Sequence, residues 1–224
     1  LSPFDIEQRM RVAVVRGLPT DGGPRFCDWI EATAALVQAS DGGALVLCTS
    51  IAAMRAIAPG VRERVAASGI RVLMQGERPR GELARMFRED ERSVLVAVAS
   101  FWEGFDAAGS TLRHVIMPRL PFAVPVHPLE VARQEWWKDR GLDGFRDLSL
   151  PEATMRFRQG VGRLLRTADD WGAITVLDER IQTKGYGKRF LRAIGPVPVW
   201  SGSLAEIEAR LRRYFVQGPE PVST

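Results

Sequence analysis

Short apolar runs alternate with segments of helical periodicity along most of this sequence. Each run has four to six residues, and most neighbouring runs are separated by a segment whose apolar positions recur at steps of three or four. Strands that are apolar throughout are typical of a parallel sheet covered by helices on both faces. The pattern predicts the α/β class, with candidate strands at residues 44–48, 70–74, 94–99, 114–117 and 173–177.

The predicted helices carry start and stop signals. Asp28 with Glu31, and Ser203 with Glu206, have the spacing of capping boxes, and Pro79 stands at the start of another helix. The turn residues Asp41, Gly42 and Gly43 mark the end of the first helix. The apolar stripes are Trp29, Ala32, Leu36 and Val37, then Met54, Ile57 and Val61, then Leu83, Met86 and Phe87, and finally Leu204, Ile207, Leu211 and Phe215.

Residues 118–150 interrupt this rhythm. They contain Pro118, Pro121, Pro125 and Pro128, followed by a predicted helix over residues 129–140. An excursion of this length is typical of a functional element or a subdomain. We therefore expect one domain over residues 1–217, with an excursion at 118–150 that lies over one edge of the sheet, and a frayed tail at 218–224.

Composition suits a single domain with one substantial core, because 46% of the 224 residues are hydrophobic. Lys and Arg number 31 against 27 Asp and Glu, so the mildly basic chain permits a polyanionic partner without requiring one. Cys27 and Cys48 have no metal-binding spacing and are predicted to be core thiols in a reducing compartment. With only two histidines, His114 and His127, the chain predicts no metal site of its own.

Membrane and export signals are not visible in the sequence. No apolar run approaches the roughly 20 residues that a membrane span requires. The N-terminus also lacks the order of charged and then apolar residues that marks a signal peptide. We therefore expect a cytoplasmic protein with no membrane contact.

Residues 149–166 combine helical signals with a charged stripe. Ser149 and Glu152 have capping-box spacing, and Pro151 falls in the first turn. Gly160 and Gly162 fall inside the predicted helix, where each costs about 1 kcal/mol relative to Ala, which suggests a closely approaching backbone or ligand. At about 100° per residue, one face carries Arg156, Gln159, Arg163 and Arg166, whereas Phe157, Val161, Leu164 and Leu165 lie largely off it. Taken by itself, this stripe is more typical of a solvated amphipathic helix, because surface stripes that contain arginine are common.

The chain lacks the Gly-rich loop with which a nucleoside triphosphatase binds its substrate. No G-x-x-x-x-G-K-[ST] motif occurs. Its nearest approach is at Gly187 and Lys188, where Gln182 replaces the first glycine and Arg189 replaces the final Ser or Thr. Hydrolysis by this chain alone is therefore not expected.

Asp178 and Glu179 follow a candidate strand, as the magnesium-binding carboxylates of such enzymes do. Without a phosphate loop this placement has little weight. The preferred interpretation is a strand end whose acid caps the next turn or pairs with Arg180. Asp178 is assigned no metal.

Two motifs resemble one known family. SFWEGFD at residues 100–106 resembles motif V, and QGVGRLLR at residues 159–166 resembles motif VI (Q-x-x-G-R-x-x-R), of superfamily 2 helicases related to bacterial DinG and eukaryotic XPD. Residues 2–5 (SPFD), 119–122 (RLPF) and 177–191 (LDERIQTKGYGKRFL) are also similar to that family's second motor domain. The resemblance covers nearly the whole chain and implies a RecA-like three-layer domain. Because the sequence opens in mid-motif, we expect it to be part of a longer protein.

The resemblance also implies half of an ATP site. Arg163 and Arg166 would be the arginine fingers that reach the γ-phosphate, and Gln159 and Gly162 would help to seat the nucleotide. Asp106 would contact the ribose or an arginine finger, while Glu103 and Gly104 would couple this site to the nucleic-acid face. For Glu103 and Asp106, a loop that caps the following turn remains an alternative.

Nucleic-acid contacts are expected at the carboxyl ends of the strands, where loops converge in a doubly wound sheet. Thr49, Ser50 and Gln75 match the family's motif IV region and are predicted to contact phosphates. Phe101 and Trp102 fit a base-stacking role, which is worth about 1–3 kcal/mol per base, and Ser100 beside them is also expected to contact the nucleic acid. Aromatic residues of this kind also fit a core, where we place Phe105. Of Trp136 and Trp137, one ring is expected to be buried and the other exposed.

The function implied by the resemblance needs a second domain. The chain is expected to be the second motor domain of an ATP-dependent DNA helicase that moves 5′ to 3′ in DNA repair or replication. ATP with Mg²⁺ would be held mainly by an N-terminal motor domain of the same polypeptide, and single-stranded DNA would be the partner of a monomer. Two alternatives are a non-catalytic module that binds single-stranded nucleic acid and a free-standing triphosphatase that uses Asp178 and Glu179.

Overall fold

A computed structural model describes residues 6–18, 26–98, 101, 111–123, 132–133, 136–137, 139–165, 167 and 169–219. Within these residues the chain forms one sheet of seven strands. The strands are β1 (Met10–Val15), β2 (Ala44–Cys48), β3 (Arg71–Met74), β4 (Ser93–Val98), β5 (His114–Met117), β6 (Gly172–Val176) and β7 (Val199–Gly202).

The sheet has the order β3-β4-β2-β5-β6-β1-β7, and every pairing in it is parallel. The register aligns Cys48 with Val98 and Val14 with Val176, so the carboxyl ends of neighbouring strands lie at one edge. The α/β class and the parallel sheet are thereby confirmed. All five predicted strands are present.

Two strands, β1 and β7, were missing from the prediction. β1 has the sequence MRVAVV and is buried except at Arg11, so its apolar run resembles those that identified the other strands. β7 pairs with the rest of the sheet through β1 alone among the described strands, and its first three residues are exposed or half-buried. A short edge strand of this kind has no continuous apolar pattern.

Helices cover both faces of the sheet, which confirms the three-layer arrangement. The helices are α1 (Ile6–Arg9), α2 (Phe26–Ala39), α3 (Ile51–Val65), α4 (Arg80–Glu89), α5 (Leu150–Val161), α6 (Arg180–Thr183), α7 (Gly187–Ile194) and α8 (Leu204–Gln217). One core contains apolar side chains of α4, α5 and α7, and the other contains those of α2, α3 and α8. A 3-10 turn at Ala66–Ser68 and a π-helical turn at Gly144–Ser149 complete the described helical segments.

Several helix boundaries agree with the predicted signals. Ser203 and Glu206 form a full capping box at the start of α8. Pro79 immediately precedes α4. After α2, Gly42 has a φ of 84°, and a Cβ at this position would lie 2.6 Å from the backbone carbonyl carbon of Arg92, so only glycine fits.

Two predicted capping boxes are wrong. α2 begins at Phe26, which places Asp28 within its first turn instead of at its cap. Ser149 has helical backbone angles (φ −65°, ψ −40°) because it continues from the π-helical turn, and its hydroxyl donates to the carbonyl of Gly144 at 3.2 Å. The effective cap lies earlier, at Asp143, whose carboxylate accepts from the N–H of Phe145 at 2.9 Å.

The described parts of the 118–150 excursion pack against α5 and α7. The ring of Phe122 contacts the rings of Phe145, Tyr186 and Phe190, with centroids 5.7 Å apart in each case. Glu152 on α5 accepts from the guanidinium of Arg133 at 2.9 Å. Most of the predicted helix at 129–140 lies outside the described residues, so the limits of the excursion stay a prediction.

Candidate nucleotide and nucleic-acid surfaces

Arg163 lies in a tight turn directly after α5. Its N–H donates to the carbonyl of Gly160 at 3.2 Å, and the N–H of Leu164 donates to that of Val161 at 3.0 Å. These three-residue steps show that the helix narrows into a 3-10 turn. α5 ends at Val161, so Gly162 is its C-cap and not an interior residue as predicted. The predicted polar face is therefore divided, with Gln159 exposed on the helix and Arg163 half-buried beyond its end.

Buried side chains hold this turn against the sheet. Phe157, Val161 and Leu164 are at most 7% exposed, which confirms that they lie off the polar stripe. Leu165 is partly buried against the same core. The backbone on either side of Arg163 is therefore anchored by the core.

Gly172, which the sequence interpretation did not identify, fixes where the turn lies. A Cβ on this residue would be 2.8 Å from the Cδ1 of Leu164 and 2.9 Å from the carbonyl carbon of Arg113. Gly172 is the first residue of β6, so the turn with Arg163 lies at the amino end of that strand. The sequence does contain a signal for this residue, because a glycine at the start of an apolar run marks a place where another part of the protein approaches the backbone closely.

Thr49, Ser50 and Gln75 lie at the opposite edge of the sheet. Thr49 and Ser50 follow β2, Gln75 follows β3, and all three are half-buried. Because β6 has five residues, the amino and carboxyl edges are about 15 Å apart. The described site residues thus occupy two surfaces, which we call the amino edge (Arg163) and the carboxyl edge (Thr49, Ser50 and Gln75).

Hydrogen bonds orient two of the carboxyl-edge side chains. The Oε1 of Gln75 accepts from the N–H of Val98 at 3.0 Å, which extends the pairing of β3 with β4 by one bond beyond the end of β3. The hydroxyl of Ser50 accepts from the N–H of Ala53 at 3.1 Å and caps α3. In both side chains the acceptor is used and the donor, an amide NH₂ or an O–H, is left available among the described residues.

Asp178 is part of the scaffold. It is 1% exposed, and its carboxylate forms an ion pair with Arg180 at 2.6 Å and accepts from the N–H of Leu120 at 3.1 Å. This confirms the interpretation as a strand end paired with Arg180. The neighbouring Glu179 accepts from the N–H of Gly17 at 3.0 Å, which joins the loops after β6 and β1.

The structure contradicts the predicted stacking role of Phe101. Its side chain is 5% exposed and belongs to the core beneath α4. The guanidinium of Arg80 lies 5.2 Å from the ring centroid and also donates to the carbonyl of Phe101 at 3.0 Å. The apolar ring gains more from burial than from an exposed loop position.

Other predicted site residues lie outside the described part of the chain. These are Ser100, Trp102, Glu103, Gly104, Asp106 and Arg166, together with Phe105. Of the tryptophan pair, Trp136 is 51% exposed and Trp137 is half-buried, in the expected direction.

The two cysteines differ in environment. Burial raises the pKa of the Cys48 thiol to about 12, so this residue is the expected core thiol. Cys27 is exposed, which contradicts the prediction because α2 turns this position away from the sheet. Among the described residues no cluster of His, Cys, Asp or Glu has the geometry of a metal site, and no helix combines the length and apolarity needed to cross a bilayer.

A parallel sheet covered on both faces by helices has the RecA-like fold. The solved structure "XPD_Helicase" has a TM-score of 0.64 and 13% identity to this chain, and the match covers 88% of this chain and 36% of that one. At this identity, the likeness shows the fold alone.

The family follows from sequence comparison. The model of the helicase C-terminal domain matches residues 33–197, and the chain belongs to that family. It is 40% identical over 198 residues to the "ATP-dependent DNA helicase YoaA" of Escherichia coli (strain K12), covering 88% of this chain and 31% of that protein. It is 37% identical over 214 residues to the "3'-5' exonuclease DinG" of Bacillus subtilis (strain 168), covering 93% of this chain and 23% of that protein. The chain thus spans less than a third of the length of these relatives, and the resemblance to DinG and XPD helicases is confirmed.

Proposed function

We propose that this chain is the second motor domain of an ATP-dependent DNA helicase and completes an ATP site with an N-terminal motor domain of the same polypeptide. The family supports this proposal, as does the similarity to the ATP-dependent DNA helicase YoaA. ATP with Mg²⁺ would be held mainly by the partner domain, so the chain alone would not hydrolyse it. Each surface of this domain then has a separate task.

The amino edge would supply the charge that stabilises phosphoryl transfer. The observation that carries the proposal is Arg163 itself, a half-buried guanidinium on a turn anchored by Val161 and Leu164. Its planar, permanently charged group can donate two hydrogen bonds to phosphate oxygens. Arg166 would act as the second finger, and the remaining nucleotide contacts would come from Gln159, Gly162, Glu103, Gly104 and Asp106.

The carboxyl edge would bind the phosphates of single-stranded DNA. Phosphates accept hydrogen bonds, and within the described residues the donors of Ser50 and Gln75 have no recorded partner, while their oxygens accept from backbone N–H groups. The N-terminus of α3, which Ser50 caps, adds a favourable partial charge for an anion. Thr49 would provide a further hydroxyl, and Ser100 and Trp102 would extend the track.

The separation of the two edges suggests how hydrolysis is coupled to movement. Closure of the partner domain on ATP would bring it against the amino edge, and the rigid sheet would transmit that rotation across about 15 Å to the carboxyl edge. The grip on DNA would therefore change with each ATP cycle. Movement 5′ to 3′, a monomeric state and a role in DNA repair or replication rest on the family resemblance alone.

Substitution of Arg163 by Ala tests the proposal in the longer polypeptide that contains both motor domains. We expect DNA-stimulated ATP hydrolysis to fall by about 10³-fold or more, which corresponds to at least about 4 kcal/mol of barrier. Single-stranded DNA should still bind, because Arg163 lies at the other edge. The matched control is Arg158→Ala, which removes an exposed arginine from α5, the helix that precedes Arg163, and should leave hydrolysis unchanged.

The same experiment separates the alternatives. Hydrolysis that survives Arg163→Ala unaltered would show that this residue is not a finger, and a domain that only binds nucleic acid would then be favoured. A free-standing triphosphatase is disfavoured by the contacts of Asp178, whose carboxylate is engaged by Arg180 and Leu120. The free-standing triphosphatase would be supported only by ATP hydrolysis in the 224-residue chain alone.

A further inference from the structure

A basic pocket of about 510 Å³ lies at the amino ends of β1 and β7, where the last turns of α8 pass over the sheet. Its walls come from three distant segments of the chain. We call it the α8 pocket, and its lining includes Arg11, Trp200, Arg210, Arg213, Tyr214 and Gln217. None of them belongs to the amino-edge or carboxyl-edge site residues described above.

Positive charge in the α8 pocket is only partly compensated within the described part of the protein, because the Glu206 carboxylate, one turn earlier on α8, attracts Arg210 without forming an ion pair with it. Arg210 and Arg213 are three residues apart, so they share one face of α8, and both are exposed. Among the described residues no carboxylate pairs with either guanidinium, and no acidic residue lines the pocket. By contrast, Arg212 points away and pairs with Glu208 at 2.8 Å. The exposed Arg213, together with the partly compensated Arg210, leaves this concave surface positively charged, so it attracts an anion.

The aromatic wall of the pocket is held in place. The half-buried ring of Trp200 packs edge-to-face with that of Tyr214, with centroids 5.6 Å apart and planes at 87°. The Tyr214 hydroxyl is close enough to donate to the carbonyls of Arg9 (3.0 Å) and Gly172 (3.2 Å). Arg11 lies over the Tyr214 ring and donates to three backbone carbonyls, so it too is fixed. The wall therefore needs little reorganisation when a ligand binds.

We propose that the α8 pocket binds single-stranded nucleic acid, with one base stacked on Trp200 and neighbouring phosphates paired with Arg210 and Arg213. Basic residues that follow the backbone, combined with an aromatic platform, are the arrangement by which single strands are bound without sequence preference. An acidic peptide would satisfy the guanidinium groups but would leave the face of Trp200 without a planar partner. This contact is separate from the DNA track proposed at the carboxyl edge and would hold a different part of the strand.

The charged half of the site is tested with a fluorescent oligothymidylate of about 12 nucleotides. Its binding to the full chain is measured by fluorescence anisotropy at several salt concentrations. The double substitution Arg210→Ala and Arg213→Ala should weaken binding about tenfold at low salt. It should also reduce the slope of log K against log salt concentration by about 1.4, because each phosphate contact on a single strand contributes about 0.7 to that slope. Arg212→Ala is the matched control on the same helix and should change neither value. Equal melting temperatures would show that all variants are folded.

Photocrosslinking tests the aromatic half. An oligonucleotide that contains 5-iododeoxyuridine should form an adduct on Trp200, identified by mass spectrometry, and the adduct should disappear in Trp200→Ala. Unchanged affinity and salt slope in the double arginine variant would overturn the proposal, as would adducts found exclusively elsewhere. Displacement of the oligonucleotide by a polyglutamate peptide, at the same concentration of negative charges, would also overturn the proposal. The motor function is judged separately, by ATP hydrolysis in Arg163→Ala, so failure of one proposal does not imply failure of the other.

Discussion

His114 is a buried neutral base at the centre of the sheet, and this makes stability depend on pH. It lies on β5 and is 0% exposed. One ring nitrogen lies 2.8 Å from the hydroxyl of Thr175 and the other 3.2 Å from that of Ser40. The ring also lies 5.3 Å from that of Phe215. Burial among these uncharged groups lowers the pKa of His114 from 6.5 to about 3.

The size of the effect follows from the two pKa values. The unfolded chain takes up a proton at this residue below pH 6.5, whereas the folded chain does so only near pH 3. The free energy of unfolding therefore decreases as the pH falls through this window, and the contribution is complete above pH 6.5. At pH 5 the expected loss is about 2 kcal/mol, and near pH 3 it reaches about 4 kcal/mol.

Urea unfolding followed by circular dichroism at about pH 7 and pH 5 measures this contribution, with His114→Gln as the comparison. Glutamine can still hydrogen-bond to Ser40 or Thr175 but does not titrate. The variant should be less stable at neutral pH, by about 1–3 kcal/mol, because its amide cannot reproduce both bonds. Its further loss between pH 7 and pH 5 should be smaller than that of the unmodified chain by about 2 kcal/mol.

His127 is present in both proteins, so its contribution cancels. Equal losses of stability between the two pH values would refute the reasoning. That result would mean that His114 is protonated in the folded state at pH 5, and so is not enclosed by the sheet as described.

Three further substitutions test the carboxyl edge, the start of β6 and the cap of α8. Gln75→Glu keeps the acceptor for Val98 but removes the amide donors, so single-stranded DNA affinity measured by anisotropy should fall about tenfold. Gly172→Ala forces a Cβ against fixed backbone and should lower the free energy of unfolding by about 1–3 kcal/mol in urea titration. Ser203→Ala removes the acceptor for the N–H of Glu206 and should lower the melting temperature, at a cost of about 1 kcal/mol.

Each of these three has a control within the chain. Gln38→Glu makes the same charge change on α2, where the amide bonds to Ser68 and lines neither the carboxyl edge nor the α8 pocket, and it should leave DNA affinity unaffected. Gly81→Ala, in α4 with no atom near the new Cβ, should stabilise the protein slightly. Ser149→Ala should lower the free energy of unfolding less than Ser203→Ala does, because the Ser203 side chain caps a helix and that of Ser149 does not. Equal losses of stability would contradict this difference in cap geometry.

Local sequence patterns correctly located most of the secondary structure. Burial against a sheet or along a helix leaves an apolar period that is readable within ten or so residues, and this identified β2 to β6 and the stripe of α8. The same local reading assigned the scaffold role of Asp178, because a carboxylate with an arginine two residues away can pair without any distant partner. The segment with Arg163 was likewise found from a contiguous motif.

The local pattern was insufficient where the outcome depended on what precedes or covers a segment. Ser149 has the spacing of a cap, yet the π-helical turn before it, begun by Asp143, already supplies helical geometry. Phe101 follows a strand like the other candidate DNA contacts, yet the placement of α4 and Arg80 encloses its ring. Neither neighbour is visible from the residue type alone.

Sequence patterns were sufficient for the fold class, most of the elements, the motif with Arg163 and the polar residues that follow β2 and β3. Strand order became known from the three-dimensional arrangement: β1 lies between β6 and β7 although about 160 residues separate it from β6. The same arrangement places Arg163 and Ser50 at opposite edges and brings Trp200, Arg210 and Arg213 into the lining of one pocket. The physical reason is that periodicity records how each segment is buried, whereas strand pairing and pockets arise from contacts between segments that are remote in the chain.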